Sequence, residues 1–135
     1  MIELSEQLAK VDVQPAEYKR LLGYPPQRAI NGRARELERW ARRWYAEHGR
    51  PWIYARQARQ LEAETGSIVV DGTSFVSERL QSRLEQAFAE SVVLVAVSAG
   101  TEIEQAAQAA WREGKPDEYF FLEVLGSAVV EHLTT

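Results

Sequence analysis

The sequence predicts an α+β fold, a mixed or antiparallel sheet with helices packed against it. Three observations carry that prediction. Between Arg28 and Glu47 apolar residues recur at spacings of three and four, the period of one helix face. Val92-Val-Leu-Val-Ala-Val is continuous, uncharged and β-branched, which reads as a strand covered on both faces. From Asp117 to Leu133 the chain is apolar nearly all round, as a helix sunk in a core would be. The 135 residues are enough for one compact domain spanning 1–135 and few for two.

Taken in order, the segment from Val11 to Tyr24 predicts a short helix, with Pro15 at its first position and Gly23 just past its end. Tyr24-Pro-Pro forces an extended turn, because a residue before proline is pushed out of the helical region. Ile30, Ala34, Leu37, Ala41, Trp44 and Tyr45 then mark the buried face of a long helix. Gly32 weakens the first turn of that helix, and His48-Gly49 with Pro51 closes it. Trp52 to Glu64 predicts a strand with one solvated face. Thr65-Gly66-Ser67 turns it into a second strand, Ile68-Val69-Val70, ended by Asp71-Gly72, and the two are expected to pair as a hairpin. Ser77 caps a helix running through Leu80, Leu84 and Phe88.

After the strand at Val92, Ser98-Ala99-Gly100 turns into a helix. Thr101 and Glu104 have the spacing of a capping box, and Ile103, Ala106, Ala107, Ala110 and Trp111 form its buried face. Gly114-Lys115-Pro116 ends that helix, and Asp117 and Glu118 suit the first turn of the next. Along that last helix Glu123, Ser127 and Glu131 are spaced by four and stack on a single polar line. Gly126 sits beside the line, where it would let a backbone or ligand come close.

Composition removes several function classes. The chain has no cysteine, so disulfides, thiolate metal sites, iron–sulfur clusters and thiol nucleophiles are excluded. His48 and His132 have no partner at ligand spacing, and no metal is expected. No apolar run approaches the roughly 18 residues of a membrane span, and the mixed, acidic start is unlike a signal peptide, so a cytoplasmic protein is expected. Residues 1–60 carry twelve Lys/Arg against seven Asp/Glu, and residues 61–135 carry four against thirteen. Much of the basic excess lies between Arg28 and Arg59. It reads as the solvated face of an amphipathic helix, with Trp40, Trp44, Trp52 and Trp111 as core and partner-surface residues, and no nucleic acid is expected. Val97-Ser-Ala-Gly-Thr-Glu has neither the lysine of a phosphate loop nor spaced glycines. Ser98 has no histidine base or elbow glycines to make it a nucleophile.

Several blocks, in order, resemble one family. Glu17-Tyr-Lys-Arg-Leu-Leu-Gly-Tyr, Ser77-Glu-Arg-Leu, the run from Val92 to Glu104, Asp117-Glu-Tyr and Leu125-Gly-Ser-Ala-Val-Val-Glu-His-Leu look like the activation domain of cobalamin-dependent methionine synthase. They look more closely like its free-standing bacterial relatives. The order and spacing of the blocks, which span most of the chain, carry the likeness; no single motif is diagnostic. The resemblance implies an α/β domain that holds S-adenosylmethionine in a shallow groove. It would present that cofactor to cobalamin held by a partner, a corrinoid-binding protein or methionine synthase, with an electron from a flavodoxin-type donor. A family glutamate that meets the cofactor's ammonium falls on Glu131, with Ser127 and Glu123 on the same face.

The family pattern continues with an Arg-x-x-x-Gly-Tyr loop that grips the rest of the cofactor. No such loop stands before Thr135, so the domain is expected to be incomplete at its C-terminus. The corrinoid-ligand motif Asp-x-His-x-x-Gly is absent too, so the chain would meet the corrinoid from outside. The function expected is therefore reactivation, by reductive methylation, of a corrinoid methyltransferase, with this chain as an accessory component. The alternative is a non-enzymatic interaction module or fragment that keeps the fold without the cofactor, pairing through its apolar last helix with a partner or as a homo-oligomer.

Overall fold

The structure, a computed structural model, describes residues 3–135. The order is β1 (Glu3–Gln7), α1 (Pro15–Leu21), α2 (Gly32–His48), β2 (Trp52–Gln57), β3 (Leu61–Glu64), β4 (Ser67–Val70), β5 (Thr73–Val76), α3 (Glu78–Gln86), β6 (Val93–Ser98), α4 (Thr101–Arg112) and α5 (Pro116–Thr134). The fold is α+β, with two three-stranded sheets ordered β1-β2-β6 and β3-β4-β5. The described chain divides into two compact units, one built from 6–53 and 97–135 and the other from 3–5 and 54–96.

The first unit is organised by α5. Its apolar residues recur every three to four positions, so Phe121, Leu122, Leu125, Ala128 and Val129 are buried together. α4 packs along it through Ile103, Ala107 and Ala110, and α1 and α2 also lie against it. Tyr18 of α1 is fully buried, and its hydroxyl donates to the Phe121 carbonyl at 2.7 Å. On α2, Leu37, Ala41 and Tyr45 form the inner stripe, as their spacing of four requires. That helix starts at Gly32, later than Arg28, because the Pro25-Pro26 turn and the chain to Asn31 stay out of helix.

The second unit is a small antiparallel meander with α3 packed on β4. Leu61 pairs with Val70 and Glu64 with Ser67 across a two-residue turn, the expected hairpin. The predicted strand over 52–64 is broken in two. The Asp71 carboxylate accepts from the backbone N–H groups of both Arg59 and Gln60 at 2.8 Å, which pins a bend between β2 and β3. Asp71-Gly72 also does more than end β4. Both residues have positive φ, 48° and 83°, so they make the tight turn that right-twisted strands favour, and the chain returns as β5. Ser77 caps α3 as expected, its hydroxyl oxygen accepting from the Leu80 N–H at 3.1 Å. Phe88 lies beyond that helix and is exposed.

Three sequence expectations are corrected. β6 is not covered on both faces: it is an outer strand, and Val93 and Val95 are exposed. Trp111 is not on the buried face of α4; it stands exposed and tilts against Tyr119, ring centroids 5.2 Å apart. The Thr101–Glu104 capping box does not form, because Gly100 occupies the cap position and Thr101 is already helical. Ser98 caps the turn instead, its hydroxyl oxygen accepting from the Gly100 N–H at 2.9 Å. Among the described residues no helix is long and apolar enough to cross a membrane.

Candidate functional site

A groove of about 410 Å3 runs between α4 and α5. Ile103 and Leu122 give it an apolar floor, Ala99 and Gly100 close one end, and Glu104, Glu123, Ser127 and Val130 stand along it. The geometry follows from helix periodicity. Glu123 and Ser127 are one turn apart on the outer edge of α5, next to the stripe that packs on α4. Glu104 reaches the groove because the capping box is absent: its carboxylate is not spent on a backbone N–H.

The charge of this groove has one sign. Glu104 and Glu123 line it, no lysine, arginine or histidine does, and neither carboxylate has a hydrogen-bond or ion-pair partner among the described residues. The Ser127 hydroxyl donates back to the Glu123 carbonyl at 3.3 Å, which leaves its oxygen free to accept. Gly126 is not pressed by another backbone; a Cβ there would meet only Ile103 at 3.8 Å, ordinary contact.

The three predicted site residues do not share one environment. Glu123 and Ser127 face the groove, while Glu131, one turn on, binds Arg20 of α1 with Nη2 to Oε2 at 2.9 Å. The same Arg20 nitrogen is also 2.9 Å from Glu17, and these hydrogen bonds and charges, Glu17 first, raise the Arg20 pKa. Glu131 is therefore an exposed, paired carboxylate and not one set in an apolar wall. Sequence reasoning missed Arg20, 111 positions away, and assigned Glu104 to a cap it does not make.

A second, larger cavity of about 1060 Å3 lies in the same unit, with Asp12, Arg42, Trp44, Tyr45, His48 and Glu102 among its walls. Its charges are mixed. The Tyr45 hydroxyl donates to the Ala99 carbonyl at 2.7 Å, and burial, then the charge of Glu102, pushes its pKa up to about 12. The His48 ring is tilted against Trp44, centroids 5.4 Å apart, while His132 accepts the Asp12 N–H at 3.3 Å. No group of three or more acidic, histidine or cysteine side chains is placed to hold a metal among the described residues. Comparison with protein-family models and with curated proteins finds no match to this chain.

Proposed function

We propose that the α4–α5 groove holds S-adenosylmethionine and that the chain supports reductive methylation of a corrinoid carried by a partner. The observation that carries the reading is the pair of unpartnered carboxylates, Glu104 and Glu123, over an apolar floor. Both side chains are exposed and no group among the described residues neutralises them, so their charge is open to a cationic ligand. S-adenosylmethionine brings two cationic centres, its sulfonium and its ammonium, together with apolar surface. The groove volume lies in the range of small-molecule sites.

The fit is one-sided in an informative way. Nothing cationic lines the groove, so the ligand's own carboxylate would find no partner there. Ser127 offers an acceptor to the ammonium, and Glu131 is the next carboxylate along the same helix face. Arg20 can release Glu131 to that ammonium and fall back on Glu17, which it already touches. Once bound, S-adenosylmethionine supplies an electrophilic methyl to the reduced corrinoid and leaves as a thioether. The thioether has lost the sulfonium charge, so a groove with two carboxylates holds it less tightly and favours its release.

In this reading the partner is a corrinoid-binding protein such as methionine synthase, the electron comes from a flavodoxin-type donor, and the setting is the cytoplasm. Isothermal titration with S-adenosylmethionine, alone and with a corrinoid methyltransferase present, tests it. Saturable binding that weakens in Glu123→Gln supports the reading. No binding in either condition sinks it and leaves the interaction module as the better account.

A further inference from the structure

The arginines of α2 are not spread evenly over a solvated face. Arg35, Arg39, Arg42 and Arg43 line one recess of about 420 Å3, with Glu38 and Pro15 completing it. Four guanidiniums against one carboxylate leave a formal surplus of three positive charges. Their positions differ by four, three and one, so like charges stand one turn apart on the same helix, which destabilises it.

The internal partners do not neutralise the recess. Glu38 is buried and already committed to Arg35, at 3.2 and 3.4 Å. Arg42 is half engaged: Nη2 donates to the Val13 carbonyl at 3.1 Å, while Nη1 is buried with no acceptor. A buried guanidinium N–H without an acceptor is unfavourable, and solvation of the outer face does not explain it. Arg39 and Arg43 are exposed and make no ion pair or hydrogen bond among the described residues.

We propose that this recess binds a phosphate-bearing small molecule. The phosphate oxygens accept from the forked guanidiniums of Arg39 and Arg43, and Arg42 supplies a third charge deeper in the wall. Arginine forks match the spacing of phosphate oxygens, and a surplus of three charges suits a di- or trianion better than a single carboxylate. A single-stranded nucleic acid fits less well, because it needs aromatic platforms beside the basic groove. Of the aromatics of this helix, Tyr45 lies in the core and Trp40 and Trp44 pack against it. The site is independent of the α4–α5 groove and shares no residue with it.

The test is isothermal titration of the protein with inorganic pyrophosphate, with sulfate and polyuridine as comparisons, at about 50 and about 200 mM salt. One-to-one binding of pyrophosphate, tighter than sulfate and weaker at high salt, is expected. The double variant Arg39→Gln, Arg43→Gln removes only exposed, mutually repelling charge, so its melting temperature should hold or rise while affinity drops by about tenfold per arginine. Arg42→Lys keeps the charge but loses the fork and should weaken binding less than the double variant does. Absence of saturable pyrophosphate binding overturns the proposal, as does unchanged affinity in the folded double variant. Polyuridine binding that strengthens with length and exceeds pyrophosphate assigns the face to nucleic acid and overturns it too.

Discussion

The Tyr18 hydroxyl donates to the Phe121 carbonyl at 2.7 Å inside the core, tying α1 to the first turns of α5. A buried phenol cannot leave its O–H unsatisfied without cost, so this bond sets where α1 docks. Tyr18→Phe removes the bond but keeps the ring, and should lower stability by about 1 kcal/mol. Tyr18→Ala also opens a cavity and should cost about 3–5 kcal/mol. Urea midpoints of the two variants give the comparison, and equal losses would mean that the ring contributes nothing beyond its hydroxyl.

Stability should fall in alkali through the same kind of bond. Tyr45 is raised from about 10 to about 12, by burial first and Glu102 second, and Tyr18 is raised as well, by burial first and Glu38 second, with Arg42 opposing. A raised folded pKa favours the protonated form, so this stability is fully present below about pH 10 and is lost as pH climbs towards 12. Tyr45→Phe cannot ionise. Its urea midpoint should fall less steeply than the parent's over that window, and parallel curves would contradict the assignment.

Gly100 should be the least replaceable glycine. Its φ is +94°, and a Cβ there would sit 2.5 Å from the Arg50 carbonyl oxygen. Gly72 also has positive φ, +83°, but nothing lies within 4 Å of its would-be Cβ. Gly72→Ala should therefore cost about 1 kcal/mol, the left-handed strain alone. Gly100→Ala adds a backbone clash and should cost more than about 2 kcal/mol. Thermal melts of the two variants rank them.

These contrasts also show what the sequence could carry. The last helix was legible because Phe121, Leu125 and Val129 repeat at four and bury the face that the repeat names. The α+β class followed from that period and from the β-branched run of β6. β5 was not legible: Thr73-Ser-Phe-Val is exposed throughout, so burial imposes no alternation on it. The exposure of β6 escaped for the opposite reason, since an apolar run does not say which of its faces finds a neighbour. At the groove, Glu123 and Ser127 could be placed on one face by spacing alone. Glu104 could not, because the same spacing serves a capping box, and only the fold shows Gly100 at the cap with no side-chain cap bond made. The Arg20–Glu131 pair is a tertiary fact with no local trace.

Glu131 tests the division of labour on α5. Both members of its ion pair are more than half exposed, so Glu131→Gln should leave the urea midpoint unchanged. If Glu131 is the carboxylate that meets the ligand's ammonium, Arg20 competes with the ligand for it. Arg20→Gln should then tighten S-adenosylmethionine by about two- to fivefold, while Glu131→Gln weakens it. Titrations on the two variants check this, and a loss of affinity in Arg20→Gln would place the ammonium elsewhere.

Glu104 and Glu123 make the more discriminating prediction, because they bear on the sulfonium. S-adenosylmethionine and S-adenosylhomocysteine share the ammonium, the carboxylate and the adenosine, and differ by one methyl and one positive charge. Two unpartnered carboxylates over an apolar floor should therefore favour the methylated ligand. Each of Glu104→Gln and Glu123→Gln should weaken S-adenosylmethionine by about two- to fivefold and leave S-adenosylhomocysteine nearly unchanged. The ratio of the two affinities is the quantity to measure, since partial unfolding lowers both together and cancels. A ratio that stays constant in both variants would show that the groove does not sense the sulfonium. The larger cavity beside Tyr45 would then be the next place to test, with Glu102 and Asp12 as the carboxylates to substitute.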